Sequence, residues 1–390
     1  MSVTGYSYPW DYLGDEAALD RVASLGLDVV ALAAMYHATR IATPLHPTRR
    51  VTEIDHSAAY FPLRDEVWSS RRLRPYGPAE WIGPHAFVDA ATRLSERGIA
   101  VDGWLVLTHL DNVGSDDHEF AVRNAFGEIY SYALCPSHDA VRDYCSALVT
   151  ETLRSAPLRG VVLEACGPMG LEHSSTHDKI DVAHWSLVER QLLSLCFCRA
   201  CGEGMSNDGI DAKELARTVR QALDRSAPTI GDALGEISDA VATFRSSRST
   251  TLQLEVLEAA RQVNAEATIT LHTSSSPWAT GSFAASTEET LALINCAVAN
   301  CWDESLAPDE LARLEPMTSS LGAYLRLDHD WARSDRILST YAGIGVRELH
   351  LYHLGLLSAS SLVNAQRLTS AWGRRNDVGI DHLEESLSDG

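Results

Sequence analysis

Short apolar runs alternate with amphipathic stretches along most of this chain. The run at 27–35 is almost entirely apolar, which is typical of a strand buried on both faces. The stretch before it places Ala18, Leu19, Val22 and Leu25 at helical spacing. The alternation predicts strands at 3–8, 27–35, 99–107, 158–163, 267–271, 296–299, 323–327 and 346–352. It predicts helices at 15–26, 84–98, 138–155, 185–195, 211–226, 252–263, 334–343 and 358–372.

Eight strand–helix units in one chain predict a (β/α)8 TIM barrel. The alternative is a doubly wound open sheet, which is disfavoured because no Gly-rich phosphate turn follows the first strand. We expect a single barrel over 1–375 and a polar tail over 376–390. Long insertions follow strand two, at 37–84, and strand four, at 165–265. The first is either part of the active site or a packing flap or oligomer contact.

Composition and charge narrow the classes of partner. The 390 residues are 45% hydrophobic, which is ordinary for a globular chain, and the net charge is −21. Such an acidic chain repels nucleic-acid phosphates and anionic lipid, so neither is expected as a partner. No apolar run reaches the roughly 18 residues of a membrane span. The first residues lack the layout of a signal peptide, so we expect a cytoplasmic chain with reduced thiols.

Polar and aromatic side chains follow the predicted strands at the end where barrel enzymes carry their active sites. Carboxylates, imidazoles and indoles in such a ring suit a neutral polyol, because sugar faces stack on aromatic rings. The expected pocket tryptophan is one of four, namely Trp81, Trp278, Trp302 and Trp331. The predicted substrate-binding residues are Tyr36, His37, His109, Asn112, His272, Trp302, Glu304 and His353.

Glycoside cleavage requires two carboxyl groups, one protonated and one ionised. Glu164 directly follows an apolar strand, and burial there would raise its pKa and suit it to be the acid. The opposing carboxylate is expected from strand seven, where Asp328 and Asp330 qualify. The alternative role for Glu164 is that of a structural ion-pair partner.

A cluster of cysteines predicts a structural zinc site. Cys196, Cys198 and Cys201 form C-x-C-x2-C, and three thiolates at this spacing hold one side of a tetrahedral Zn²⁺. The fourth ligand must come from elsewhere. Cys135 is the best candidate, with Cys145 and Cys166 as alternatives. A site made only of cysteines is closed, so this zinc is assigned to structure and not to catalysis.

The order of these pieces resembles the zinc-containing β-galactosidases of glycoside hydrolase clan A. The shared order is a Cys-Pro element at Cys135, then Glu164 at the end of strand four, then the C-x-C-x2-C cluster. The resemblance implies zinc on Cys135, Cys196, Cys198 and Cys201, with Glu164 as the acid/base. Two departures separate this chain from the family. Leu163 replaces the asparagine before the acid/base, and strand seven offers aspartates in place of a glutamate nucleophile.

The leading hypothesis is therefore a glycosidase that acts on a small glycoside or oligosaccharide and carries a structural zinc. An aspartate is one methylene shorter than a glutamate, so the sequence leaves retaining and inverting chemistry open. One alternative is a metal-dependent barrel lyase or isomerase with His109, His272, His353 and Asp328 around a second ion. Another is a non-catalytic carbohydrate-binding barrel. The resemblance also implies a homo-oligomer, a trimer or a dimer.

Overall fold

Eight parallel strands close into a barrel in the computed structural model, which describes residues 1–111, 115–172, 183–327 and 331–387. β1 pairs with both β2 and β14, and this double pairing closes the sheet. The closed sheet confirms the predicted (β/α)8 fold. The barrel strands are β1 (Ser2–Ser7), β2 (Val29–Tyr36), β6 (Ala100–Val106), β9 (Gly160–Glu164), β10 (Thr268–Ser274), β12 (Cys296–Asn300), β13 (Leu321–Arg326) and β14 (Val346–Tyr352).

The barrel strands form because their residues are buried on both faces. Every residue of β2 is buried, as its apolar run predicts. Gly160 lets β9 approach β10 closely, because an added Cβ would lie 1.8 Å from the carbonyl oxygen of Thr268. The last strand has the bounds that the sequence predicts.

Helices surround the barrel and join successive strands. They are α1 (Ala17–Ala23), α2 (Asp65–Trp68), α3 (Ala86–Ser95), α4 (Asp139–Ser155), α5 (Leu187–Leu193), α6 (Arg199–Asn207), α7 (Ala212–Asp224), α8 (Ile230–Leu234), α9 (Ser238–Val263), α10 (Glu288–Leu291), α11 (Ala307–Leu314), α12 (Trp331–Ile344) and α13 (Ala359–Leu387). Two of them, α9 and α13, are much longer than predicted, and α13 includes most of the segment expected to be a polar tail. Among the described helices, none has the length and apolarity that crossing a bilayer requires.

The remaining strands belong to short additions at the barrel mouth. β3 (Thr39–Ala42) and β4 (Val51–Ile54) form an antiparallel hairpin, and β5 (Ala58–Ala59) pairs antiparallel with the end of β2. A second hairpin joins β7 (Ala121–Arg123) to β8 (Ile129–Leu134), and β11 (Ala284–Ala285) pairs in parallel with the end of β10. The predicted insertion at 37–84 therefore folds against the barrel through β5.

Candidate active site

A cleft of about 740 Å³ opens at the carboxyl ends of the barrel strands. This is the end where TIM-barrel enzymes carry their catalytic groups. Aromatic rings, two carboxylates and several small polar groups form its walls. The lining residues are Tyr36, Glu164, Glu172, Thr280, Gly281, Ser282, Phe283, Asn300, Trp302, Tyr324 and Tyr352.

Glu164 is the buried carboxylate of this cleft. It ends β9 and is only 5% exposed, so its carboxyl group has little contact with water. The indole Nε1 of Trp104 donates a hydrogen bond to Oε2 at 2.8 Å. Burial raises the pKa of Glu164 to about 7, against the lowering effect of hydrogen bonds from Ser282 and Trp104. A carboxyl group with this pKa carries a proton near neutral pH and can donate it.

Aromatic side chains provide flat surfaces beside Glu164. Trp302 is 37% exposed and stacks on Tyr324 with ring centroids 5.7 Å apart. The guanidinium of Arg326 lies 5.4 Å from the centre of the Trp302 ring. Tyr352 contacts both Trp302 and Tyr324. Such rings present an apolar face together with hydroxyl groups, which is the chemistry that a sugar ring requires.

The second carboxylate of the described cleft is Glu172. Its side chain is 46% exposed and is paired with Arg190 at 2.9 Å. It follows the same strand as Glu164, so it does not face Glu164 from across the barrel. Asp328 and Asp330, the sequence-predicted partners of Glu164, lie outside the described residues, as does Asn112.

The predicted substrate-binding residues divide into two groups. Tyr36 and Trp302 line the cleft, whereas His37, His109, His272, Glu304 and His353 are not among its lining residues. His272 lies behind Glu164, with Nδ1 3.7 Å from Oε2. His353 is fully buried and stacks on Tyr8 with ring centroids 4.0 Å apart.

The three histidines proposed for a second metal ion do not meet. Among the described residues, His109 instead groups with His37 and Asp111. The His37 and His109 rings are stacked, with centroids 4.4 Å apart and planes 11° apart. A metal ion lies in the plane of each imidazole that binds it, and two stacked rings do not share such a position. Asp111 also accepts hydrogen bonds from Ser57 and the backbone of Ala38. The group is therefore better explained as a set of hydrogen-bonded side chains than as a metal site.

Four cysteines form a cluster that could hold a metal ion, namely Cys135, Cys196, Cys198 and Cys201. Sγ of Cys135 lies 3.4 Å from that of Cys201 and 3.7 Å from that of Cys198. Four sulfurs about 2.3 Å from a zinc ion are roughly 3.8 Å from one another, so the cluster fits this ion closely. The alternatives Cys145 and Cys166 are buried elsewhere and do not join it.

Backbone amides support the cysteine cluster. The amide of Arg123 donates to Sγ of Cys196 at 3.4 Å, and the amide of Cys201 donates to Sγ of Cys198 at 3.5 Å. Such hydrogen bonds stabilise negative charge on sulfur, which is the form that binds a metal. The cluster fixes the start of α6 to the hairpin of β7 and β8.

Arg245 connects the cysteine-bearing region to the wall of the cleft. It lies on α9, is 7% exposed, and donates to the carbonyl oxygens of Pro277 at 3.1 Å and Ala279 at 3.2 Å. These carbonyls directly precede Thr280, the first cleft residue of that loop. Burial lowers the pKa of Arg245 to about 10, and the nearby cysteine sulfurs act in the opposite direction. Arg245 therefore remains charged at neutral pH and fixes this loop.

Several cleft residues were not predicted from the sequence. Tyr324 and Tyr352 lie inside predicted strands, and the period of two would have placed them on the same inward face as other cleft residues. Asn300 ends β12, and the same argument could have predicted it as a cleft residue. The sequence at 280–283 did not indicate a place in the cleft, because this segment lies in a loop whose position depends on contacts with distant residues.

Comparison with known proteins gives no match to a protein-family model or to a curated sequence. The fold does match solved structures. The glycoside hydrolase domain of PgaB (BpsB) from Bordetella bronchiseptica aligns with a TM-score of 0.59 and 12% identity over 95% of this chain and 99% of that chain. The catalytic domain of β-amylase from Paenibacillus polymyxa aligns with 0.57 and 11% over 95% and 98%.

A β-galactosidase from the psychrophilic Marinomonas ef1 aligns with a TM-score of 0.54 and 10% identity over all of this chain and 60% of that chain. At such low identities the likeness shows the fold alone. The fold of this chain is thus the barrel found in these glycoside hydrolases, and the chemistry must be argued from the cleft itself.

Proposed function

We propose that this chain is a glycoside hydrolase in which Glu164 protonates the leaving oxygen of a small glycoside or oligosaccharide. The observation that carries the proposal is a buried carboxyl group, with a pKa of about 7, among aromatic rings at the carboxyl end of a TIM barrel. The barrel shared with glycoside hydrolases supports it. The lyase alternative gains no support, because its three histidines lie apart among the described residues.

The arrangement of the cleft suggests how such a substrate is held. The exposed face of Trp302 offers a platform for one sugar ring, and Asn300 offers an amide to its hydroxyl groups. Glu164 then gives its proton to the glycosidic oxygen. We assign the second carboxylate to Asp328 or Asp330, which follow β13 directly. Whether it attacks the sugar or activates water depends on its separation from Glu164.

We further propose that Cys135, Cys196, Cys198 and Cys201 bind one zinc ion with a structural role. A closed set of four thiolates leaves no open position for substrate. The support is the geometry of the cluster and its backbone hydrogen bonds. When bound, zinc would hold α6 against the hairpin of β7 and β8, next to Arg245 and the loop that it fixes.

The acid role of Glu164 is tested with a panel of aryl glycosides and the variant Glu164→Gln. Glutamine keeps the size of the side chain but has no proton to give. We expect kcat/KM to fall by about 10²–10⁴-fold on glycosides with poor leaving groups. The loss should be much smaller on dinitrophenyl glycosides, whose leaving groups depart without a proton. Equal losses on both kinds of substrate, or no loss on either, would contradict the acid role.

A further inference from the structure

A line of buried polar side chains runs through the barrel from the cleft to the opposite end. Its members, here called the axial file, are Glu164, His272, Tyr6, His350 and Glu348. The Tyr6 hydroxyl lies 2.7 Å from Nε2 of His272 and 3.1 Å from Nδ1 of His350. Nδ1 of His272 is 3.7 Å from Glu164 Oε2, and Nε2 of His350 is 3.8 Å from Glu348 Oε2. The file thus connects the end of β9 with the beginning of β14.

The single hydroxyl proton couples the two imidazoles. Tyr6 can donate to only one of them and must accept from the other. If it donates to Nδ1 of His350, then His350 carries its proton on Nε2 and His272 also carries its proton on Nε2. If it donates to Nε2 of His272, both rings carry the proton on Nδ1. With both rings neutral, the file therefore has two arrangements: one presents a bare Nδ1 of His272 to Glu164, and the other presents a protonated Nδ1.

Glu348 at the far end selects between the two arrangements. Burial opposes its ionisation, but interactions with His350, whose electrostatic effect adds to its contact, and with Ser320 and Cys296 lower the pKa of Glu348 to about 2. The Ser320 hydroxyl donates to Oε1 at 3.0 Å. An ionised carboxylate beside Nε2 of His350 favours a proton on that nitrogen.

Two other charged groups near Glu348 are the carboxylate of Asp102 and the guanidinium of Arg159. Asp102 is paired with Arg159, whose Nε lies 3.0 Å from Oδ1. The guanidinium of Arg159 also interacts electrostatically with Glu348 and Cys296. An ionised Glu348 is therefore compatible with its surroundings.

We propose that ionised Glu348 acts as a positioning residue: through His350 and Tyr6 it holds His272 with its proton on Nε2, so that a bare Nδ1 faces Glu164. A lone pair facing a carboxylate oxygen disfavours negative charge there, and the file thereby keeps Glu164 in its acid form. The inference rests on the proposed role of Glu164, and it adds to burial a second, specific cause for the raised pKa of Glu164.

The groups around the Glu164 end fit this arrangement. Within the described part of the chain, Nδ1 of His272 is buried without a hydrogen-bond partner, and Oε2 of Glu164 lies 3.7 Å from it. Burial lowers the pKa of His272 well below its usual value, so the ring is neutral. Trp104 donates to Glu164 and Ser282 also bonds to it. Among the described residues, the phenols of Tyr36, Tyr324 and Tyr352 also interact with Glu164, and they stay protonated because burial raises the pKa of each.

The tautomers of the wild-type protein test the inference without any substitution. Nitrogen NMR of protein labelled in its histidine rings distinguishes bare from protonated ring nitrogens, and His272→Gln and His350→Gln variants assign the signals. We expect a proton on Nε2 and a bare Nδ1 in both rings at pH 7. A proton on Nδ1 of His272 would overturn the inference.

Removal of the coupling hydroxyl gives a second test. In Tyr6→Phe, His272 is free to place its proton on Nδ1 and donate to the Glu164 carboxylate. We expect the pKa of Glu164, followed by carbon NMR of labelled glutamate carboxyls, to fall by about one pH unit. Tyr144→Phe removes an equally buried hydroxyl outside the file and should leave this pKa unchanged. An unchanged pKa in Tyr6→Phe would contradict the inference. Neither test needs turnover, so it stands apart from the activity test of Glu164.

Discussion

At the scale of the residue, Glu164 combines a position that the sequence shows with an environment that only the fold supplies. Its place after an apolar strand predicted a buried carboxyl group, and the structure confirms that burial. The neighbours Trp104 and His272 come from other strands far away in sequence. Tyr36 and His37 show a related limit. Both were predicted to bind substrate, but His37 lies just past the end of β2 and its ring stacks on His109, so only Tyr36 lines the cleft.

The raised pKa of Glu164 predicts a pH-dependent effect on stability. A carboxyl group whose pKa rises on folding, here from 4.5 to about 7, contributes stability below pH 4.5 that is lost as the pH rises through 7. Glutamine does not ionise, so Glu164→Gln removes this loss of stability at high pH. We expect the variant to gain about 3 kcal/mol in free energy of unfolding, relative to wild type, between pH 4 and pH 8.

Denaturant titrations at both pH values measure this difference. The exposed residue Glu289 on α10 provides the control, and Glu289→Gln should show no such gain. A difference between wild type and Glu164→Gln that does not change with pH would mean that folding does not raise the pKa of Glu164.

At the scale of the element, the loop that follows β10 shows why part of the cleft was not predictable. Its residues have no periodic pattern, and its position depends on Arg245 from α9 and on Glu310 from α11. The long helix α9 was itself predicted only from residue 252 onward. Its first half is rich in serine and threonine and lacks an apolar stripe, and packing against α8 and α4 stabilises it instead.

The variant Arg245→Met tests the link between α9 and this loop. Methionine fills a similar volume but leaves the partly buried carbonyls of Pro277 and Ala279 without this charged donor, which should cost about 2–4 kcal/mol of stability. We expect a lower melting temperature and a raised KM with a smaller change in kcat.

Arg248→Met, three residues later on α9, is the matched control. Arg248 stacks on Phe244 and donates to Ser247, and neither of these contacts involves the loop. If Arg248→Met and Arg245→Met gave the same loss of stability and the same KM, the role of Arg245 in holding the loop would be wrong.

The cysteine cluster gives a prediction for the region around α6. We expect one zinc ion per chain by elemental analysis and none in Cys198→Ser, because three remaining thiolates bind zinc far more weakly. Loss of the metal should lower the melting temperature by roughly 5 °C or more. Cys145→Ser, a buried thiol outside the cluster, should keep its zinc. If wild-type protein from a zinc-supplemented medium contained no bound zinc, this proposal would be wrong.

At the scale of the whole molecule, the order of strands and helices was predictable because a parallel barrel repeats one simple pattern. All eight barrel strands were predicted, most of them as apolar runs. The polar side chains inside the barrel were not predicted as a group. Tyr6, Trp104, His272 and His350 are single polar or aromatic positions within apolar runs, and only closure of the sheet brings them together.

Closure of the barrel also brings together the groups on which activity depends, so the pH dependence of kcat/KM tests the central claim most directly. On the best aryl glycoside of the panel, wild type should lose kcat/KM above a pKa near 7, because Glu164 must carry a proton in the free enzyme. Glu164→Gln should show low activity without that basic limb. A wild-type profile that stays flat from pH 6 to pH 9, or a limb that persists in Glu164→Gln, would contradict the account.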